Sequence, residues 1–169
     1  MTQAALAAVE TPAITAPLSA DDIARLLPHR YPFLMLDRVT ALEPGVSAEG
    51  IKNVSVSDAV LAGHFPGRMI YPGVLLIECV AQLAAVIYGS AALVSVKDTS
   101  ADVSGRVGYL AEVRQAKFMR PVYPGDQLIV RATSGARMGA LISVTGQASV
   151  GREVVMTARL VVTERDQEE

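Results

Sequence analysis

One stretch of this sequence places a histidine, a carboxylate and an amide around a Pro-Gly step: Gly63-His64-Phe65-Pro66-Gly67-Arg68-Met69-Ile70-Tyr71-Pro72-Gly73, then Glu78 and Gln82. His64 sits in a Gly/Pro loop and is of the residue type that acts as a base near neutral pH. Pro72 suits the first position of a helix, where its missing N–H is not needed. The N–H groups that follow, beginning with Gly73, then lack partners within the helix. A helix start of this kind stabilises a developing oxyanion, and Gly73 has no side chain to obstruct a substrate. One such donor is worth roughly 2.7–4 kcal/mol in a transition state. Glu78 falls about two turns further on, in otherwise apolar sequence. Burial there disfavours the carboxylate form, as a general acid requires. Gln82 is four residues later, on the same helix face, and can orient the carboxyl group.

These residues need a scaffold. Ser19-Ala20-Asp21-Asp22 has the S-x-x-D form of a helix start, and Ile23, Leu26 and Leu27 continue as one apolar stripe that Pro28 ends. Phe33 to Leu42 predicts a strand, broken by Glu43-Pro44-Gly45, with Val46 to Val56 as its hairpin partner. Val74 to Val96 is the longest apolar run. Its length satisfies a membrane span. However, Glu78 would cost on the order of 2.5–3.5 kcal/mol near a bilayer centre, and no Lys/Arg cluster flanks the run. A helix apolar on all sides also serves as the buried axis of a soluble protein, and that is the expectation here. Beyond a loop at Lys97 to Gly105 the pattern is β: Val107 to Phe118, then Leu128 to Thr133, a turn at Ser134 to Gly139, Leu141 to Val150, and Val154 to Val162. In the clearest of these, Ile142, Val144, Ala148 and Val150 share one face, and Ser143, Thr145, Gln147 and Ser149 the other. The small Ala81, Ala84 and Ala85 would let backbone approach the helix. The expected class is α+β, an antiparallel sheet curled around a long apolar helix. One domain spans 18–163, between a flexible tail at 1–17 and a charged tail at 164–169.

Composition narrows the chemistry. Of 169 residues, 15 are Lys or Arg and 17 are Asp or Glu, which lacks the basic footprint of a nucleic-acid binder. Hydrophobic residues make up 51%, too many for a disordered chain. Trp is absent, so the core must be mainly aliphatic. Two His and one Cys cannot form a four-ligand Cys/His zinc site, and no metal is expected. No G-x-S-x-G elbow, P-loop or G-x-G-x-x-G is present. Cys79 points about 100° away from Glu78 on the helix and is expected to be inert. His29, between Pro28 and Arg30, is expected to be structural. No Lys or Arg precedes Arg25, so the basic start of a secretory signal is missing and a cytoplasmic location is expected.

Four blocks together resemble the (3R)-β-hydroxyacyl-acyl carrier protein dehydratases of bacterial type II fatty acid synthesis, which have the hot-dog fold. They are LPHRYPFLMLDRV (27–39), GHFPGRMIYPGVLLIECVAQ (63–82), AKFMRPVYPGDQL (116–128) and the closing strands from Leu141. By position, the resemblance implies His64 as the catalytic base, Glu78 as the acid, and Gly73 as the residue whose N–H polarises the thioester carbonyl. Related dehydratase/isomerases carry Asp where this chain has Glu78, which favours plain dehydration. No cofactor is implied, because the thioester itself acidifies the α-carbon. The resemblance further implies a homodimer whose sheets join edge to edge, three dimers commonly forming a hexamer, with the His and Glu of one site on opposite protomers. Phe65 and Tyr109 are expected along an apolar acyl tunnel. Arg114, Lys117 and Arg120 are expected to meet an acidic acyl carrier protein, where charge mainly guides encounter. Tyr71 and Cys79 depart from the commoner Met and Ala, and leave acyl length and a polyketide or polyene pathway open. Two other functions stay in view: a hot-dog acyl thioesterase, and a non-catalytic acyl-carrier-binding subunit.

Overall fold

The computed structural model describes residues 14–96 and 101–164. The expected tails at 1–17 and 164–169, and the loop at 97–105, therefore lie partly outside the described residues. Helix α1 (Ala20–Leu26) starts where Ser19 predicts: the Ser19 hydroxyl accepts from the Asp22 N–H, and the Asp22 carboxylate accepts in return from the Ser19 N–H at 2.9 Å. This shared bonding holds the Asp22 carboxyl below the usual carboxylate range, mainly through the Ser19 side chain. Strands β1 (Arg38–Glu43) and β2 (Ser47–Asn53) form the first hairpin. Helix α2 (Gly73–Val96) follows, then β3 (Val107–Phe118), β4 (Gln127–Met138), β5 (Leu141–Val150) and β6 (Glu153–Glu164).

The six strands make one sheet in the order β1-β2-β4-β5-β6-β3, and every neighbouring pair is antiparallel. The sheet wraps α2, which packs against β2, β3, β4, β5 and β6. This is the hot-dog arrangement. The alternation along β5 sets the inner face: Ile142, Val144 and Ala148 are buried, together with Leu128 and Val130 of β4 and Leu160 of β6. From the helix, Leu76, Val80, Leu83 and Ile87 meet them, so the core is aliphatic. The helix is long and apolar enough to cross a membrane, but more than half of that span is buried inside the fold. Its apolar surface is thus satisfied largely by the sheet.

Two expectations change in detail. The first strand begins at Arg38 rather than Phe33, because residues 31–33 form a turn. The hairpin between β4 and β5 turns at Gly139 and Ala140, not across 134–139; the extra residues are absorbed by a bulge between Ser134 and Arg137. The sheet also comes close to the helix at a glycine of its own. A Cβ on Gly146 would lie 2.2 Å from the Val80 side chain.

Strand β3 closes the sheet and has no neighbour on its outer side. Tyr109, Leu110, Val113 and Phe118 stand exposed along it. A long edge without a partner strand among the described residues, carrying exposed apolar side chains, is one that proteins ordinarily cover.

Candidate active site

The loop carrying His64 is tied by its own main chain. The Ile70 N–H donates to the His64 carbonyl at 3.0 Å, and Phe65 and Arg68 exchange two further backbone bonds. The His64 Nδ1 lies 2.7 Å from the Ile70 carbonyl oxygen. A carbonyl can only accept, so Nδ1 carries the proton and Nε2 is left with a free lone pair. That is the tautomer a base needs. The Phe65 ring stacks on the imidazole, with centroids 4.0 Å apart.

The Tyr71 N–H donates to the Val122 carbonyl at 2.8 Å, which fastens the start of α2 beside the segment that follows β3. Between them lies a cavity of about 300 Å³ lined by His64, Ile70, Gly73, Leu76, Phe118 and Val122, among others. Helix α2 starts at Gly73, one position later than the sequence suggests, and the Gly73 N–H is still one of its orphan donors. A side chain at Gly73 would meet Phe118, whose ring lies 3.0 Å from where a Cβ would stand. Glycine therefore keeps this end of the helix open while Phe118 covers it. An imidazole and a helix-start N–H share one cavity.

Glu78 does not line that cavity. Five residues beyond Gly73, it is turned about 140° around the helix and faces the segment between α1 and β1. Its Oε1 accepts from Gln82 Nε2 at 2.7 Å, the i, i+4 bond expected from the sequence. The same amide nitrogen donates to the Phe33 carbonyl at 2.7 Å, and Gln82 Oε1 accepts from the Met35 N–H at 2.9 Å. His29 Nε2 is 3.5 Å from the same Glu78 oxygen. Sequence reasoning missed this neighbour, since nothing local links residue 29 to residue 78.

The other candidates are placed as follows. Phe65 and Tyr109 are exposed and do not line the cavity of the single chain. Arg114 pairs with Glu112 at 3.0 Å, and Arg120 lines the cavity rim while pairing with Glu153 at 2.7 Å. Lys117 is exposed and has no ion-pair partner among the described residues. Cys79 is fully buried, and that burial pushes its thiol up to about 12, so it stays protonated and unreactive. Tyr71 is buried as well, its hydroxyl 3.3 Å from the Met35 sulfur, and burial raises its pKa. Lys52 was also missed. It follows Ala48 and Gly50 on the inward face of β2, is almost fully buried, and pairs with Asp58 at 3.1 Å. The strand's alternation is the signal that could have found it. Among the described residues no cluster of His, Cys, Asp and Glu is able to hold a metal ion.

Comparisons with known proteins address the family and the fold. The model of the FabA-like domain family matches residues 27–159. The 3-hydroxyacyl-[acyl-carrier-protein] dehydratase FabZ of Sulfurovum sp. (strain NBC37-1) is 42% identical over 140 residues, covering 82% of this chain and 91% of that protein. The FabZ of Acidiphilium cryptum (strain JF-5) is 47% identical over 117 residues, covering 69% of this chain and 67% of its own. Among solved structures, the dehydratase heterocomplex ApeI:P from Xenorhabdus doucetiae superposes with a TM-score of 0.71 at 24% identity, over 87% of this chain and 93% of that one. A hypothetical thioesterase protein with coenzyme A from Streptococcus pneumoniae TIGR4 shares the fold at a TM-score of 0.53 and 11% identity, over 78% and 87%. With a family model matching most of the chain and FabZ relatives above 40% identical along it, the chain belongs to the FabA-like domain family, together with the FabZ dehydratases.

Proposed function

We propose that this protein removes water from (3R)-3-hydroxyacyl thioesters of acyl carrier protein, giving the trans-2-enoyl thioester. The observation that carries the mechanism is the shared cavity of His64 and Gly73, with the imidazole locked in the tautomer that leaves Nε2 free. Nε2 takes the α-proton. The electron pair moves into the thioester, whose oxygen gathers charge against the Gly73 N–H. The pair then forms the Cα–Cβ double bond as the β-hydroxyl leaves with a proton from Glu78 as water. The imidazolium and the Glu78 carboxylate return their proton balance through solvent.

Glu78 points away from the cavity of its own chain, which supports a site completed by a second protomer. The unpaired β3 edge is where two sheets would join, and Phe118 at its end already borders the cavity. Lys117, on the same strand, is exposed with no ion-pair partner among the described residues and is a cation for an acidic carrier protein.

Intact-mass analysis of a (3R)-hydroxyacyl carrier protein tests the reaction: loss of one water is expected, and loss of the whole acyl group would mean a thioesterase. Mixing His64→Ala with Glu78→Ala chains tests the shared site. Unfolding and refolding them together should restore about a quarter of wild-type activity, because half the dimers are mixed and each has one intact site. No recovery would place both residues in one protomer.

A further inference from the structure

We infer that His29 is a positioning residue for Glu78, holding one carboxylate oxygen so that the other carries the proton the acid delivers. The inference rests on Glu78 being the acid of the dehydration proposed above.

The Gln82 amide donates to Glu78 Oε1 at 2.7 Å, and His29 Nε2 lies 3.5 Å from the same oxygen. Oε2 has no hydrogen-bond partner among the described residues. An oxygen that accepts from the Gln82 amide and faces the His29 imidazole is a poor site for a proton, so protonation is directed to Oε2. The 3.5 Å separation is long for a hydrogen bond, but contacts of this kind tighten when substrate closes a site.

The imidazole has no other polar task. Among the described residues its buried Nδ1 has no partner, and Nε2 faces the carboxylate. The Phe33 ring stacks on the imidazole, with centroids 5.9 Å apart. The backbone around it is pinned at several points. The Arg30 guanidinium donates to the carbonyls of Leu27 and His29 at 2.8 and 2.7 Å, and the Phe33 and Leu34 N–H groups donate to the Arg30 carbonyl. Gln82 then ties Phe33 and Met35 to α2. The segment that presents His29 is thus anchored by the same glutamine that holds Glu78. Placement to better than an ångström matters at such a site, since a 1 Å misplacement of a reacting group can cost about a hundredfold in rate.

The two amides that mimic one imidazole nitrogen each provide the test. Gln places its Nε2 near the position of His29 Nε2, whereas Asn places its nitrogen near Nδ1, which has no partner. Steady-state kinetics on a 3-hydroxyacyl carrier protein would be measured for His29→Gln, His29→Asn and Glu78→Gln, with melting temperatures alongside. The expected result is a kcat for His29→Gln within about twofold of wild type and for His29→Asn about tenfold lower, with KM unchanged in both. Equal kcat values in the two amide variants, whether both high or both low, would overturn the inference and leave His29 with a packing role. Full turnover by Glu78→Gln would instead overturn the assignment of Glu78 as the acid. The two failures are therefore distinguishable.

Discussion

His64 and Glu78 are held by different kinds of bond. The His64 loop is closed by main-chain groups: the imidazole leans on the Ile70 carbonyl, and the loop's remaining bonds run from backbone to backbone. Glu78 is held by a side chain, Gln82, which also satisfies backbone groups of a segment far away in sequence. Most of the first region is exposed, whereas Gln82 in the second is buried. Main-chain bonding leaves the base's position insensitive to which side chains occupy the loop. Side-chain bonding makes the position of Glu78 and the local fold depend on the same amide. Substitutions should therefore separate chemistry from stability at the first region and lower both together at the second.

The largest effect belongs to His64→Ala. The imidazole makes one hydrogen bond and one ring contact, so its loss should leave the melting temperature within a few degrees of wild type. Loss of general-base catalysis should lower kcat by about 10²–10⁴-fold. A comparable fall in thermal stability would show that the loop depends on its side chain after all. Gly73→Ala comes next. Alanine is a better helix former than glycine, so folding should not suffer. Its methyl group would meet Phe118 and crowd the oxyanion donor. A kcat loss of about tenfold or more is expected, against the 10²–10³ seen when such a donor is removed outright.

Gln82→Leu tests the other region. Leucine leaves the Met35 N–H and the Phe33 carbonyl without their partner, and burial of the Met35 N–H makes that orphan costly, about 1–3 kcal/mol. Chemical denaturation should show a stability loss of that order, and kcat should fall with it as Glu78 loses its donor. A variant that lost stability yet kept full kcat would separate the two roles assigned here to the amide.

The same contrast explains what could be seen in the sequence. Elements whose signal is local were legible: α2 from its apolar run, β3 and β5 from their strand patterns with matching bounds, and α1 from Ser19 and Asp22. His64, Gly73, Glu78 and Gln82 lie within one block, so they could be picked out together. Phe33 to Leu36 reads as strand because its residues favour one, yet Gln82 claims the Met35 N–H and the Phe33 carbonyl from 47 and 49 residues away. His29 escaped for the same reason, since its partner is fixed only once α2 lies against that segment. Lys52 escaped because a lysine at a strand's end looks solvated, and Asp58, which holds it inside, comes from the following loop. Local chemistry could be read from the sequence; a hydrogen bond between distant segments could not.

Phe65→Ala gives the smallest effect and the finest probe of the first region. The phenyl ring is half exposed and stacks on His64 at an interplanar angle of 29°, so it contributes packing rather than a hydrogen bond. Aromatic pairs of this kind are worth about 0.5–1.5 kcal/mol. If the Ile70 carbonyl alone fixes the imidazole, removing the ring should lower kcat/KM by only about threefold and leave the pH dependence of kcat in place. A loss approaching that of His64→Ala would mean that the stacked ring, and not the main chain, aims Nε2 at the substrate. The base would then be held as the acid is, by a side chain, and the contrast between the two regions would disappear.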